Sequence, residues 1–443
     1  MFSSEAYLSY CIFISGVDFL KIAEFPKEII KESVAYTTEK IEYIIKNFGP
    51  RESGNESCLK TQKLIESDLG KAADETHYES YKMAPKAFLM FTKFVSVLII
   101  AAVVVLFSLC FSSVISLVTL YIILAVCIAV GLFITAMEFL FYKQFCDIFH
   151  KKVTGHNFVA TRNPSGEIKR RIIISGHCDS AYEWRHIYYC KGIGMGIFMG
   201  STIVSSVASF IVCIVRAALN ASGVDNGFTT FLYYGGFALY SFMALSMITL
   251  LLFVNFRVIS PGANDNLTGT FAAACALRML DKADIRFENT QVVCMITDGE
   301  EAGLRGCKQF AKDHYDEYVN SGVETAVLCV DTLTDLEYLN VYNRDMTGTV
   351  RHSPDFSKLV MESAIEAGKD TLKYANVFFG SSDAAAFTQA GITATCLAAM
   401  DPTPADYYHN RRDSFDRLVP EAIETGYEII LSTIFNFDKK GLK

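Results

Sequence analysis

Three stretches of the chain run without a charged residue: Phe94 to Met137 over 44 residues, Gly192 to Val215 over 24, and Asn226 to Phe256 over 31. A bilayer core takes about 20 apolar residues per helix, so the first stretch has room for two spans and each of the others for one. Two transmembrane α-hairpins, within 87–141 and 190–257, are therefore expected. Elsewhere the pattern is amphipathic. Ile30, Val34, Ile41, Ile44 and Ile45 recur at helical spacing between Lys27 and Lys46, and Asn47-Phe48-Gly49-Pro50 ends the repeat. A second helix is expected over about 56–69. Short strand-like runs follow at 157–160 and 171–175, separated by the turn Asn163-Pro164-Ser165-Gly166. Past the second apolar pair come a small-residue helix over about 268–279, a strand over 291–296 and a helix over about 302–314. A strand over 326–330, a helix over about 355–367 and a strand over 393–397 complete the series. Such alternation implies an α/β fold with a mainly parallel mixed sheet flanked by helices. The hairpins then read as insertions, with 1–86, 142–189 and 258–443 forming one domain.

Charge orients this arrangement. Lys82, Lys86 and Lys93 precede the first hairpin and Lys143, Lys151 and Lys152 follow it, while its turn near Ser108 to Ser116 has none. The second hairpin has the same bias more weakly, with Arg185 and Lys191 before it, Arg257 after it, and only Arg216 and Asp225 assigned to its connecting loop. By the positive-inside rule the ends of both hairpins, and the domain attached to them, face the cytoplasm. The first residues contain Glu5 and Asp18 and lack a basic region, and the apolar run Ala6 to Val17 is too short to span, so no cleavable export signal is expected. Residues 1–25 suit a core helix, an interfacial helix or neither.

A net charge of −8 without a basic stripe argues against nucleic acid as a partner. The thirteen cysteines are scattered and form no CxxC pair, which suits reduced, buried thiols.

The candidate chemistry lies at segment ends. The strand ending in Thr297-Asp298-Gly299 is followed by adjacent carboxylates, Glu300 and Glu301, at the edge where open α/β sheets gather ligands. His177 and Asp179 follow another strand, Asp265 precedes a helix, Asp331 ends a third strand, and Tyr408-His409 lies in a polar loop. Singly, each has a structural explanation, such as a helix cap for Asp265 or a solvated loop residue for His409. Together they match what a two-zinc hydrolase needs. Zinc takes imidazole and carboxylate ligands, a pair of ions needs a bridging carboxylate, and a free acid must move the proton. Asp179, two residues beyond His177, is suited to fix the imidazole tautomer.

The segments GHCDS, GANDNLTG, TDGEEAGLRG, VDTLTD, SSDAAAF and YHNRRDSFDRL resemble, in that order, the di-zinc metallopeptidase family of secreted bacterial aminopeptidases, aminopeptidase Y and glutamate carboxypeptidase. The early GPRESGNES segment is similar to the family's loop between its first two helices. The resemblance covers about 27–86, 155–185 and 258–435 and leaves out both hairpins. It implies a zinc exopeptidase fold and two zinc ions per chain, bridged by Asp265. His177 and Asp331 would complete one site, and Glu301 and His409 the other. Glu300 would act as general base and then acid, and Tyr408 would polarise the scissile carbonyl. One departure stands out: Ser382-Asp383-Ala384 occupies the place where many relatives have Ser-Asp-His, which touches substrate positioning and no implied metal ligand.

The resulting expectation is a membrane-embedded, zinc-dependent aminopeptidase that hydrolyses N-terminal residues of peptides through a hydroxide shared by the two ions. A glutaminyl cyclase-like acyltransferase and a non-catalytic membrane adaptor are the alternatives. Cys178 is expected to be a buried neighbour and not a nucleophile. Trp184, Arg185 and His186 are expected to anchor a membrane interface. Arg411 and Arg412 suit either a substrate carboxylate or solvent.

Overall fold

The computed structural model describes residues 21–377 and 380–442. The expectation for residues 1–25 therefore lies almost wholly outside the described residues. In chain order the elements begin with α1 (Lys27–Asn47), α2 (Glu56–Leu69), β1 (Glu75–Met83), α3 (Ala87–Leu109) and α4 (Leu117–Thr135). Next come β2 (Val153–Arg162), β3 (Arg170–His177), β4 (Tyr182–Trp184), α5 (Arg185–Ala221), α6 (Gly227–Phe253) and β5 (Val254–Ile259). Then follow α7 (Thr268–Lys282), β6 (Thr290–Thr297), α8 (Arg305–Asp313), β7 (Glu324–Leu333), β8 (Leu339–Asp345) and β9 (Val350–Arg351). The series ends with α9 (Pro354–Glu366), β10 (Tyr374–Asn376), α10 (Asp383–Gln389), β11 (Ala394–Ala399) and α11 (Pro420–Lys440).

The main sheet runs β1-β2-β6-β3-β7-β11-β8-β10, with β9 beside β8. Its centre, β6-β3-β7-β11, is parallel. The β1–β2, β2–β6, β11–β8 and β8–β9 pairings are antiparallel, so the sheet is mixed and not mainly parallel as expected. The expectation came from the interior strands, whose buried runs announce themselves. The first strand, ETHYESYKM, is exposed along half its length and has no apolar run, which is how an edge strand escapes notice.

One face of the sheet is covered by α7, α11, α9 and α1, whose apolar positions Ile30, Ile41 and Ile44 join Phe271, Leu277, Ile430 and Ile434 in one core. The helix α7 lies very close to the sheet. A Cβ on Gly176 would stand 2.4 Å from the carbonyl carbon of Gly269, and one on Gly269 would stand 2.2 Å from the Val330 oxygen. Only paired glycines permit that approach, and it brings the ends of β3 and β7 against the start of α7.

The helices α3, α4 (continued by a π-turn to Leu140), α5 and α6 are each long and apolar enough to cross a membrane. They pack as one four-helix bundle around Ile99, Leu124, Ile128, Cys213 and Met243. The outward side chains are apolar too, with Phe94, Val104, Ile197, Val204 and Phe231 all more than half exposed. Arg216, expected in a connecting loop, is buried within α5, where its guanidinium donates to the Thr229 carbonyl at 2.7 Å and lies over Tyr121 and Tyr233. The second hairpin leaves and rejoins the α/β part on an antiparallel ribbon of β4 and β5.

Replacing Gly269 by Ala forces α7 off β7, and overpacking of this kind costs about 1–3 kcal/mol. A lower thermal midpoint for Gly269→Ala than for wild type, read in the same detergent, is the expected outcome; an unchanged midpoint would show that the approach is not constrained.

Candidate metal centre and active site

The parallel strands β3, β6 and β7 end side by side, and at those ends stand His177, the Thr297–Glu301 turn and Asp331. The Gly262–Leu267 segment before α7 brings Asp265 across them, and the loop before α11 supplies His409. Asp265 lies between the two imidazoles. Its Oδ1 is 3.3 Å from His177 Nε2 and its Oδ2 is 3.1 Å from His409 Nε2. Asp331 Oδ1 is 3.9 Å from His177 Nε2, and Glu301 Oε2 is 3.4 Å from His409 Nε2. Two triads therefore share Asp265: His177-Asp265-Asp331 and Asp265-Glu301-His409, each with donor atoms mutually within 4.8 Å. Glu300 belongs to neither; its Oε2 lies 3.8 Å from His177 Nε2.

Local backbone explains how so many acids are held together. Asp179 is fully buried and ties the strands to the glutamate turn. Its carboxylate accepts from the Glu300 and Glu301 N–H groups, at 3.2 and 3.1 Å, and from the Ser53 hydroxyl at 2.6 Å. His177 Nδ1 faces the Asp179 carbonyl at 3.2 Å and its carboxylate at 3.5 Å, which leaves Nε2 for the centre. Asp413, also buried, accepts from the Asn264 N–H at 2.9 Å and the Asp265 N–H at 3.0 Å. The Asn266 amide donates to the Val330 carbonyl and accepts from the Thr332 N–H, fastening the Asp265 loop beside Asp331. Arg51 is buried and donates to the Cys178, Pro261 and Gly262 carbonyls. Leu304, Thr332 and His409 have left-handed φ of 62°, 52° and 49°. Such conformations are costly for non-glycine residues and cluster at functional sites.

The charges do not balance within the protein atoms. Burial and mutual repulsion push Glu300 and Glu301 well above the usual carboxylate range and bring Asp331 to about 7. Burial acts the same way on Asp265, yet the flanking imidazoles hold it low. His177 is desolvated too, but Glu300, Asp179 and Asp265 around it raise its affinity for a proton well above normal. His177 Nε2 and Glu301 Oε1 are buried without a hydrogen-bond partner. Self-repelling carboxylates, an orphaned imidazole nitrogen and an unpaired oxygen around one point form a cradle for cations, and the mixed nitrogen and oxygen donor set fits zinc-type ions.

Above this point opens a cavity lined by Asp265, Glu300, Glu301, Asp331 and His409. Tyr408 lines it, its ring stacked on His409 at 3.8 Å. Burial and the surrounding acids raise the Tyr408 phenol, which therefore keeps its proton and can donate. Trp184 corrects an expectation: instead of anchoring an interface it is 2% exposed, its ring 4.4 Å from that of His409 and its backbone N–H donating to the His409 carbonyl. His186 is buried against Phe198 and Phe253. Arg411 is committed to Glu183 through two bonds of 2.6 and 2.7 Å. Cys178 is buried, with Gln62 Nε2 at 3.5 Å from its sulfur. Ala384, at the departure from the familiar motif, is wholly buried within α10, while Asp383 accepts from Thr297 at 2.7 Å. The sequence reading quoted the segments containing Ser53 and Asp413 but assigned them no role. Helix-breaking contexts identify loop acids without telling which backbone amides they will meet.

A family model described as Peptidase family M28 matches residues 250–434. Solved structures match along nearly the whole chain. An aminopeptidase from Aneurinibacillus sp. strain AM-1 is 14% identical, with 94% of each chain covered and a TM-score of 0.50. A glutaminyl cyclase from an Acidobacteriales bacterium is 12% identical, covering 99% of this chain and 100% of its own, with a TM-score of 0.52. A Zn-dependent exopeptidase from Parabacteroides distasonis is 11% identical, covering 93% and 99%, with a TM-score of 0.50. A search of the curated proteins finds no match. At these identities the likenesses establish the fold, a central mixed sheet flanked by helices. The matched segment carries Asp265, Glu300, Glu301, Asp331 and His409.

Removing the Asp413 carboxylate leaves the Asn264 and Asp265 amides without their buried acceptor. Loss of a group that orients a ligand costs about 10–100-fold in metal affinity. Asp413→Ala is expected to lose affinity for divalent cations by that factor in a chelator competition, and wild-type affinity would show that the Asp265 loop holds itself.

Proposed function

We propose that the protein is a membrane-embedded, zinc-dependent exopeptidase, an aminopeptidase that removes N-terminal residues from peptides. The observation that carries this reading is the position of Asp265, one oxygen toward each imidazole, with Asp331 and Glu301 completing two donor sets and Glu300 left over beside them. The shared carboxylate supports two zinc ions per chain. His177, Asp265 and Asp331 would hold one, and Asp265, Glu301 and His409 the other. Zinc-dependent exopeptidases among the structural neighbours agree with that metal. When bound, the metal supplies Lewis acidity and lowers the pKa of water at the site.

The chain's own residues do the rest. Glu300 takes the proton of the attacking water and delivers it to the departing amine. Its buried, acid-rich surroundings raise its pKa above the usual carboxylate range, the direction an acid–base of this kind needs. Asp179 fixes the backbone from which Glu300 and Glu301 project, so both side chains keep their separate duties. Tyr408, protonated and beside His409, donates to the carbonyl oxygen as charge develops there. Trp184 closes the site behind His409 and excludes water. The domain is built from 1–86, 142–189 and 258–443, with hairpins inserted at 87–141 and 190–257.

The bundle is read as four membrane spans, with the peptidase domain in the cytoplasm. Apolar side chains on the outside as well as the inside of the bundle support this, as does the lysine bias at its base. The cavity is walled partly by Phe88, Leu89 and Phe139, which belong to the base of the first hairpin. The active site would therefore open close to the bilayer surface. Single cysteines placed in the 110–116 and 222–226 turns, on a background lacking reactive cysteines, are expected to react only with reagent on the side opposite the domain. Labelling from the domain's side would overturn the topology.

Glutaminyl cyclisation is the competing reading, since glutaminyl cyclases have the same fold. A shared carboxylate with two donor sets favours hydrolysis by two metals, and the intact donor sets speak against an adaptor. With metal-replete protein and a panel of aminoacyl reporters, turnover is expected in wild type. It should fall by at least about 10²-fold in Glu300→Gln, in the range of a lost acid–base group, while bound zinc is retained. Cyclised glutaminyl product without hydrolysis would select the cyclase; zinc-loaded protein inert toward every substrate would refute both enzymes.

A further inference from the structure

The catalytic cavity does not end at the α/β domain. Leu89 at the start of α3 and Phe139 in the turn that continues α4 form part of its wall, and both also line a second cavity between the four apolar helices. Val95 and Ile99 from α3, Gly131 from α4, Met199 and Ile203 from α5 and Met247 from α6 bound this space. From Leu89 to Ile99 is ten residues of helix, or about 15 Å of depth. Gly131 keeps α4 against α3 here, since a Cβ would stand 2.9 Å from Val95 Cγ1. Ile203, 57% exposed, lies where the space meets the bundle's outer surface.

The hydroxyl protons of the lining are already committed. The hydroxyls of Thr92, Thr135, Thr202 and Ser206 each donate to a carbonyl of their own helix, at 2.7–2.9 Å. An extended peptide entering this space would bury a row of backbone C=O groups without donors, which is costly in an apolar medium. A hydrocarbon chain carries no such groups, and its burial is favourable.

We propose that the substrate is an amide amphiphile, whose long hydrocarbon chain lies between the helices while its amide reaches Glu300. The proposal rests on the hydrolase reading and names its substrate class. The step is the same hydrolysis: the oxygen of water bonds to the carbonyl carbon, the C–N bond breaks, and the amine leaves with the proton carried by Glu300. Leu89 and Phe139 form the boundary the chain passes.

The test uses full-length, zinc-loaded protein in nanodiscs with two series of free-amino substrates. One series carries alkyl chains of increasing length on the leaving amine, and the other carries them on the acyl residue. In one series kcat/KM is expected to rise at least tenfold between short and twelve-carbon chains, and the series that responds identifies the side of the scissile bond that faces the bundle. Met199→Trp, which fills the cavity away from the catalytic residues, should abolish the gain and leave short-chain turnover within twofold; Ile203→Trp, at the rim, serves if that variant fails to fold. An alkyl diazirine amide should label α3 and α5 in wild type and in Glu300→Gln, and less in Met199→Trp. Turnover of short amides with no gain from chain length, an equal gain in Met199→Trp, or a preference for apolar peptides of matched length overturns the amphiphile while sparing the hydrolase. Failure of every amide, short or long, removes the hydrolase reading and this proposal with it.

Discussion

The structure turns on one carboxylate placed between two imidazoles. Asp265 stands 3.3 Å from His177 and 3.1 Å from His409, and further acids approach from β6 and β7. Carboxylates so close repel one another unless cations or protons intervene, and the surrounding frame is rigid enough to hold them there. The buried carboxylates of Asp179 and Asp413 take up backbone N–H groups that would otherwise be unsatisfied. Gly176 and Gly269 let α7 sit directly on the strand ends. The site's geometry thus depends on backbone contacts at least as much as on the metal-type side chains themselves.

Much of this was legible in the sequence, because strand ends and loop acids carry local signatures. The six site residues His177, Asp265, Glu300, Glu301, Asp331 and His409 come together, as does Asp179 behind them. The interior strands and the four apolar helices were visible for the same reason, since a buried run needs no partner to be recognised. What was hidden depends on partners. The edge strand β1 alternates with too many polar residues to stand out, and the antiparallel sense of β8 is set by β11, over fifty residues away. Trp184 looked like an interfacial aromatic because it precedes an apolar helix. Its role follows from the β4–β5 ribbon, which turns it inward onto His409.

That ribbon and the base of the first hairpin join the two halves of the molecule. The first hairpin contributes Phe88, Leu89 and Phe139 to the wall of the cavity above the acidic centre, and the stem of the second holds His409 through the Trp184 backbone. Insertions of this length are thermodynamically tolerated in loops, but these do more than occupy a loop. The apolar bundle and the acidic centre thus share one cavity wall.

The central claim is that Asp265 bridges two metal ions. The most direct measurement is anomalous X-ray diffraction at the zinc edge from metal-replete crystals. The account expects two peaks flanking the Asp265 carboxylate, one beside His177 and Asp331 and the other beside Glu301 and His409. A single peak, or none within reach of Asp265, would contradict it.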